Sequence, residues 1–241
     1  SNQGGYYSAF AYLSEGRRMG LAILPPDINA SVWAYTGSGT TVRVGLMQIK
    51  GLQEDLAKRI IADREQQGPY RSLSDFLGRV KLDYAQAKLL IKAGCFDSIA
   101  GDLTRPALLW RVFAAQATKP PTYIPIPTEY SRQKKLQHEL ALFGFPLHCH
   151  PLDLFPEGLA GTSRILAKDL DQYVRQEVTL IGWLLTEKIV STKKGEPIEF
   201  MTLEDQTGMY DATLFPTTYR HSCHLLATNQ AYLLTGLVEA H

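Results

Sequence analysis

The chain has 241 residues, 45% of them hydrophobic and 20% charged, a composition typical of a globular protein with one large or two small domains. No apolar run approaches the ~20 residues of a membrane span, which excludes a membrane protein, and a net charge of +1 does not by itself indicate a polyanionic partner. The polar, glycine-rich start and three widely spaced cysteines predict a reduced, cytoplasmic protein without a secretory signal.

Charge is distributed unevenly along the chain. Residues 41–94 contain ten basic and six acidic side chains, a net of +4. Residues 172–241 contain five basic and eight acidic side chains, a net of −3. If DNA is the partner, the first block is therefore the better electrostatic footprint.

The first forty residues predict one helix followed by turns. The helix covers residues 9–19 and is ended by Gly20, with Pro25 and Pro26 preventing its continuation. Residues 27–39 are rich in turn formers, and the alternation over residues 41–44 predicts a short strand.

Two helical hairpins follow. In the first, an apolar segment leads through a turn at Gly51 into a helix that stops at Gly68-Pro69. In the second, Ser72-x-x-Asp75 has the form of a capping box, and after a turn at residues 80–83 Asp83 caps the next helix in the same way. Gly94 is the expected left-handed end of that helix, and another helix covers residues 103–117.

Paired helix-hairpin-helix units of this kind hold DNA by its phosphates without recognising its sequence. Backbone N–H groups at a helix N-terminus favour an anion, glycine permits close approach, and basic side chains add salt-dependent affinity. The alternative is a structural turn with solvated charges, and Gln53 stands where the usual motif has a second glycine. The predicted duplex contacts are Lys50, Gly51, Leu52, Gln53, Lys58, Arg59 and Lys81.

The rest of the chain predicts a linker and then a β-rich domain. Residues 119–128 contain four prolines, and a helix over residues 129–142 follows. The later alternation predicts strands at 178–185, 198–203, 210–215 and 230–239, with a helix at 216–226 before the last strand. Three strands, a helix and a strand is the order of an oligonucleotide-binding (OB) barrel that is short of its fifth strand.

The chain resembles the alpha subunit of bacterial DNA polymerase III, a family C replicative polymerase. It resembles the error-prone accessory homologue of the same family almost as closely. The matching segments occur in family order along nearly the whole chain. They are Gly4-Gly5-Tyr6-Tyr7, Tyr12-Leu-Ser-Glu-Gly-Arg-Arg-Met19, Leu24-Pro-Pro-Asp-Ile-Asn-Ala-Ser31, Val44-Gly-Leu-Met-Gln-Ile-Lys-Gly-Leu52, Lys92-Ala-Gly-Cys-Phe-Asp97, His150-Pro-Leu-Asp153, Lys193-Lys-Gly-Glu-Pro197 and Thr202-Leu-Glu-Asp-Gln-Thr-Gly208.

The resemblance implies an α+β, multi-domain chain. The expected segments are the end of the fingers region (1–40), a tandem helix-hairpin-helix domain (41–118), a proline-rich linker with connecting helices (119–175) and an incomplete OB barrel (176–241). It also implies that the chain is an excised part of a bacterial, nucleoid-associated DNA polymerase. The Mg²⁺-binding palm of that polymerase would lie upstream, so we expect no catalytic residue and no cofactor in this chain. The implied partners are primer-template DNA, single-stranded DNA, the sliding clamp and the clamp loader.

In the barrel, the candidates for contact with single-stranded DNA are Trp183, Lys193, Lys194 and Tyr210. Aromatic side chains stack on bases, each contributing about 1–3 kcal/mol, and lysines follow the phosphates. We expect Phe200 and Phe215 to fill the core instead.

Three other patterns suggest functions of different kinds. Gln137, Leu140, Leu142 and Phe143 resemble a short clamp-docking peptide, which would make the chain a protein-interaction scaffold, although these apolar residues equally suit a core. Asp169 and Asp171 mimic a metal-binding carboxylate pair, but their neighbours predict a helix where such a site needs a strand. His148, Cys149 and His150 with His221, Cys223 and His224 mimic a zinc site, but they lack the Cys-x-x-Cys spacing, so we expect no metal.

Overall fold

A computed structural model describes residues 9–118, 123, 127–155, 161, 163–226 and 230–240. Two compact units divide the chain: the hairpin unit, Gly20–His148, and the barrel unit, which combines Ser1–Met19 with Cys149–His241. These bounds differ from the four predicted segments, because the first helix belongs with the C-terminal strands. Most of the proline-rich segment 119–128 lies outside the described residues.

The secondary structure alternates between short helices in the hairpin unit and strands in the barrel unit. In chain order the elements are α1 (Ala9–Arg18), β1 (Ala22–Leu24), β2 (Thr36–Ser38), β3 (Thr41–Arg43), α2 (Glu54–Gln67), α3 (Leu73–Arg79), α4 (Tyr84–Ala93), α5 (Arg105–Gln116), α6 (Arg132–Phe143), β4 (Glu177–Ser191), β5 (Pro197–Glu204), β6 (Met209–Leu214), α7 (Pro216–Leu226) and β7 (Ala231–Leu237). Short 3₁₀ helices cover Leu46–Gln48, Asp97–Ile99, Pro151–Leu154 and Ala167–Tyr173.

A three-stranded sheet opens the hairpin unit. Its order is β1-β3-β2, with β1 parallel and β2 antiparallel to β3. The sequence predicts only β3, because strands of three residues are too short to show an alternating pattern.

Three aromatic side chains form the centre of the hairpin unit. Tyr70 and Phe96 each contact Phe76 edge-on, with centroid distances of 5.0 Å and 4.9 Å, and all three rings are buried. Arg79 lies over the Tyr70 ring at 4.3 Å and forms an ion pair with Asp63 at 2.7 Å. These contacts join the end of α2 to α3 and so hold the two hairpins together.

The helix caps follow the sequence closely, with one difference. The side chains of Ser72 and Asp83 accept hydrogen bonds from the N–H groups of Asp75 and Gln86, and Gly94 adopts the left-handed conformation after α4. Asp75, however, accepts from the N–H of Arg71, so the capping box predicted at α3 is not complete.

The barrel unit is a curled antiparallel half-barrel, consistent with an OB-like fold. Its strand order is β6-β5-β4-β7. The fifteen-residue β4 pairs with β7 through its first half and with β5 through its second, and a bulge lies between Leu184 and Thr186. A bulge of this kind bends the strand and lets one strand serve both neighbours. Side chains of all four strands pack with Leu226 of α7 to form the core.

A buried carboxylate at the end of β5 fastens α1 to the sheet. Glu204 is fully buried and accepts hydrogen bonds from Ser14 and Arg18, each at 2.9 Å. The imidazole Nε2 of His150 lies 3.3 Å from the same carboxylate. Because these partners come from distant parts of the sequence, this ion-pair cluster sets which segments share the barrel unit.

Within the described parts of the chain, no helix combines the length and the apolar character needed to cross a bilayer.

Candidate nucleic-acid interface

The first hairpin has the backbone geometry that close approach to a phosphate requires. Ile49 and Leu52 are buried on either side of the turn, while Gly51 is exposed with φ +82°. A residue with a Cβ rarely adopts this left-handed conformation, so the turn depends on glycine. The helix α2 begins at Glu54, and the side chain of its N-cap residue, Gln53, forms no capping hydrogen bond.

One side chain of the second hairpin joins the two hairpins. The buried amide of Gln86 donates to the carbonyl oxygen of Gly51 and accepts from the N–H of Gln53, both at 3.0 Å. The N–H of Gln53 is therefore occupied within the protein. Among the described residues the N–H of Gly51 has no acceptor, which leaves it and the first turn of α2 to face an anion.

The first hairpin also caps the carboxyl end of α6. The backbone N–H of Lys50 donates to the carbonyl oxygen of Leu142, and the side-chain amide of Gln48 donates to that of Phe143, both at 2.8 Å. The Lys50 ammonium lies beside Gly144, where the helix dipole favours a cation. Lys50 therefore stabilises α6 in addition to any contact with DNA.

This arrangement corrects the clamp-docking prediction. Leu142 and Phe143 are only 6% and 2% exposed, Leu140 is half-buried, and only Gln137 of the predicted motif is exposed. A docking peptide must present its apolar side chains to the partner, whereas this segment uses them as core.

The predicted hairpin cations differ in whether an acidic side chain already neutralises their charge. Lys58 forms an ion pair with Glu54 at 2.7 Å, and this hydrogen bond raises the pKa of Lys58. Lys50, Arg59 and Lys81 are exposed and have no acidic partner among the described residues. Glu54 and Asp55 occupy the first turn of α2 and partly offset its attraction for an anion.

The second hairpin offers an anion fewer free donors than the first does. The carboxylate of Asp83 already accepts from the N–H of Gln86, so the N-terminus of α4 is capped from within the chain. The carbonyl of Leu82 accepts from the side chain of Gln116 at 3.0 Å. Lys81 remains as the exposed cation of this turn.

In the barrel unit, the aromatic side chains occupy the opposite places from those predicted. Trp183 and Tyr210 are 5% and 8% exposed, so neither presents a ring face on which a base can stack. Phe200 and Phe215 are 46% and 56% exposed, which shows that the prediction of core positions for them is wrong. Phe200 lies on β5 between Lys188 of β4 and Thr213 of β6.

Lys193 and Lys194 lie in the tight turn between β4 and β5. The N–H of Thr192 donates to the carbonyl of Glu196 at 2.8 Å, and Gly195 has φ +77°. Both lysines are exposed and lack an acidic partner among the described residues. The turn therefore presents two cations at one end of the strand pair that carries Phe200.

The histidines of the zinc-like pattern have other roles. His148 contacts the buried carboxylate of Glu139 at 2.5 Å, and His150 caps the 3₁₀ helix Pro151–Leu154. His221 contacts the carbonyl oxygen of Thr217 at 2.8 Å. No group of three or more metal-binding side chains is present among the described residues.

The acidic pair Asp169 and Asp171 lies on the 3₁₀ helix Ala167–Tyr173, where the sequence predicts a helix. A catalytic Asp-x-Asp pair needs to lie on a strand, and these two residues do not.

Sequence reasoning missed two residues that shape the interface. Gln86 gives no local signal, because its partners lie 33 and 35 positions away in the chain. Phe200 does give a signal: its neighbours Met201 and Leu203 fall in the core, and strict alternation along β5 then turns Phe200 outward.

Comparison with known proteins identifies a helix-hairpin-helix motif and relatives among bacterial DNA polymerases. Residues 20–106 match the family model described as a helix-hairpin-helix motif. The DNA polymerase III subunit alpha of Aquifex aeolicus is 28% identical over 236 residues, covering 94% of this chain and 20% of that protein. The error-prone DNA polymerase of Nocardia farcinica is 29% identical over 252 residues, covering 98% of this chain and 22% of that protein.

A third relative is the DNA polymerase III subunit alpha of Treponema pallidum, 29% identical over 236 residues, covering 86% of this chain and 20% of that protein. The chain thus spans about a fifth of the length of these relatives. Over nearly its whole length, the chain is therefore similar to one segment of bacterial DNA polymerase III alpha subunits and error-prone DNA polymerases, and residues 20–106 match a helix-hairpin-helix motif.

Proposed function

We propose that the hairpin unit binds duplex DNA through its phosphates and so positions the primer-template of a bacterial DNA polymerase. The observation that carries the proposal is the match of residues 20–106 to a helix-hairpin-helix motif whose first turn has a left-handed Gly51 and an unpaired N–H. Residues 20–148 contain sixteen basic and eleven acidic side chains, a net of +5, which favours a polyanion. Template-directed nucleotide transfer is proposed for the complete polymerase, and none of its Mg²⁺ chemistry is assigned to this chain.

The sliding clamp and clamp loader are proposed as partners of the complete polymerase only. Residues 137–143 are not offered as their docking site, because two of the apolar members are buried.

We expect the 241-residue chain to bind a fluorescent primer-template duplex with an affinity that falls steeply as salt increases. The hairpin variant Lys50→Gln/Arg59→Gln/Lys81→Gln removes three exposed cations that have no acidic partner among the described residues. Each phosphate that is no longer neutralised should reduce the slope of log K against log salt by about one. Fluorescence anisotropy at several salt concentrations measures both the affinity and the slope.

A control variant separates this effect from a general reduction of charge. Lys135→Gln/Lys168→Gln/Arg220→Gln removes the same number of positive charges from exposed or partly exposed positions. Of these residues, Lys135 is paired with Glu129 and Arg220 with Glu196. Its affinity and slope should stay close to those of the original chain. Absence of duplex binding at low salt would refute the proposal.

We further propose that the outer face of the barrel unit binds single-stranded template through Phe200, Lys193 and Lys194. Phe200→Ala should weaken binding to a single strand by about 1–3 kcal/mol, the usual contribution of one stacked base, and should leave duplex binding unchanged. Anisotropy with a single strand of equal length measures the effect. Equal single-strand affinity for Phe200→Ala and the unmodified chain would rule out stacking on this ring.

A further inference from the structure

Three lysines form a group outside the hairpin turns. Lys88 and Lys92 lie one turn apart on α4, and Lys134 lies on α6, which packs against α4. Lys88 and Lys134 are exposed and Lys92 is half-buried. These three residues are called the lysine triad below.

The charge of the triad is not balanced within the described part of the hairpin unit. None of the three ammonium groups forms an ion pair there, and the Lys134 ammonium contacts only the neutral amide of Gln137, at 3.3 Å. The neighbouring Lys135, by contrast, is paired with Glu129. Burial, and then the nearby charges of Lys88 and Lys134, lower the pKa of Lys92, so the three positive charges repel one another.

A buried histidine next to the triad experiences the same positive field. His138 is 6% exposed, stacks edge-on against Tyr130 at 4.8 Å, and its Nδ1 atom has no hydrogen-bond partner among the described residues. Burial and then the charges of Lys92, Lys134, Arg105 and Lys88 lower the pKa of His138 to about 4.

The acidic groups of the region do not cancel this field. Arg105 is paired with Asp97, and the carboxylate of Glu139 is occupied by the N–H of Leu147, at 2.6 Å, and by His148. Lys88 and Lys92 are like charges four positions apart on one helix, a spacing at which repulsion destabilises the helix slightly. A phosphate bound from outside would remove this repulsion.

We propose that the lysine triad is a phosphate-binding surface for the backbone of duplex DNA, additional to the two hairpin turns. The proposal rests on the proposed function of the hairpin unit. Lys88 and Lys92 stand about 6 Å apart along the axis of α4. Both flexible ammonium groups can therefore follow one strand of the backbone as point charges without recognising bases.

The test compares the triad variant Lys88→Gln/Lys92→Gln/Lys134→Gln with the control variant Lys135→Gln/Lys168→Gln/Arg220→Gln in the full 241-residue chain. At about 0.1 M salt, removal of one lysine–phosphate interaction weakens duplex binding about eightfold and lowers the log–log salt slope by about 0.9. We expect the affinity of the triad variant to fall by about 100-fold or more, and that of the control by less than about threefold.

Lysine acetylation followed by mass spectrometry tests the same surface in the unmodified chain and does not depend on the folding of a variant. Bound duplex should protect Lys88, Lys92 and Lys134 from acetylation and leave Lys168 reactive. Unchanged acetylation of all three lysines, together with unchanged affinity of the triad variant, would overturn the inference while leaving duplex binding by the hairpins intact.

Inorganic tripolyphosphate separates failure of the inference from failure of the proposed function. If the unmodified chain fails to bind duplex but tripolyphosphate raises its melting temperature, and the triad variant loses that rise, the proposed function fails while the triad stands as a phosphate site. If tripolyphosphate also has no effect on the unmodified chain, both proposals are overturned.

Discussion

Gly45→Ala should destabilise the hairpin unit by about 3 kcal/mol, at the upper end of the range for an overpacked position. A Cβ at residue 45 would lie 2.5 Å from the carbonyl oxygens of Trp33 and Ala34. Those atoms belong to the backbone and cannot rotate away as a flexible side chain can. Urea unfolding followed by circular dichroism, with hydrogen exchange to identify the affected unit, measures the decrease in stability.

The surrounding hydrogen bonds explain why this segment cannot shift. The N–H groups of Leu46 and Met47 donate to the carbonyls of Val32 and Trp33, both at 2.9 Å, and the N–H of Val44 donates to Leu24 at 3.0 Å. Moving residues 32–34 away from an added methyl group would break the hydrogen bonds of Leu46 and Met47, and the bond from Val44 to Leu24 keeps residue 45 from moving instead.

Gly78→Ala is the matched control for this substitution. Gly78 lies within α3, and a Cβ there would meet no atom within 4 Å. Because alanine favours a helix over glycine, this variant should be more stable by about 0.5–1 kcal/mol. A Gly45→Ala protein that unfolds at the same urea concentration as the unmodified chain would show that the backbone around residue 33 yields more easily than its hydrogen bonds indicate.

Local signals in the sequence predict most of the helices and the larger sheet. Ser72, Asp83 and Gly94 act within one turn of their own helices, so the rules for caps find them without knowledge of the tertiary fold. Likewise, apolar and polar residues alternate along parts of β4 and β5, on either side of a turn that contains lysine and glycine.

The unpredicted parts of the fold depend on contacts between distant residues. The assignment of α1 to the barrel unit follows from contacts of Ser14 and Arg18 with Glu204, which lies 190 and 186 positions further along the chain. No pattern within a window of the sequence contains that information, so the observed units have bounds that differ from the predicted segments.

The candidate site shows the same division between local and distant information. The exposure of Lys50, Arg59 and Lys81 follows from their places in polar turns or on the outer face of a helix. The burial of Phe143 does not, because an apolar stripe on α6 is compatible both with a docking peptide and with a core. The tertiary structure decides between these alternatives, because Phe143 is 2% exposed and Lys50 and Gln48 donate hydrogen bonds to the end of α6.

Glu204→Gln should destabilise the barrel unit by about 3–5 kcal/mol at pH 7, as expected when one partner of a buried ion pair is removed. The carboxylate accepts from Ser14 and Arg18 and faces His150, whereas one end of a glutamine amide can only donate. The substitution therefore leaves Arg18 paired only with the half-exposed Glu15. It also places the amide N–H donors of glutamine opposite the donor groups of Arg18 or Ser14. Urea unfolding at pH 7 measures the decrease in stability.

The pH dependence of the same variant gives a second test. Burial alone would raise the pKa of Glu204, but hydrogen bonds from His150, Ser14 and Arg18 outweigh burial and lower it. The unfolded chain then binds the proton more tightly than the folded protein, so the contribution of this carboxylate is present above about pH 4.5 and is lost as the pH falls through the lowered pKa.

The difference in stability between the unmodified chain and Glu204→Gln should therefore shrink as the pH falls below about 4.5. The two proteins share every other titrating group, so the comparison isolates this carboxylate. Asp211→Asn on the neighbouring strand β6 is the control, because Asp211 is exposed and accepts one hydrogen bond from Thr202 at 2.7 Å. It should be destabilised by no more than about 1 kcal/mol. Equal destabilisation of the two variants at pH 7 would mean that the ion-pair cluster does not hold α1 on the sheet.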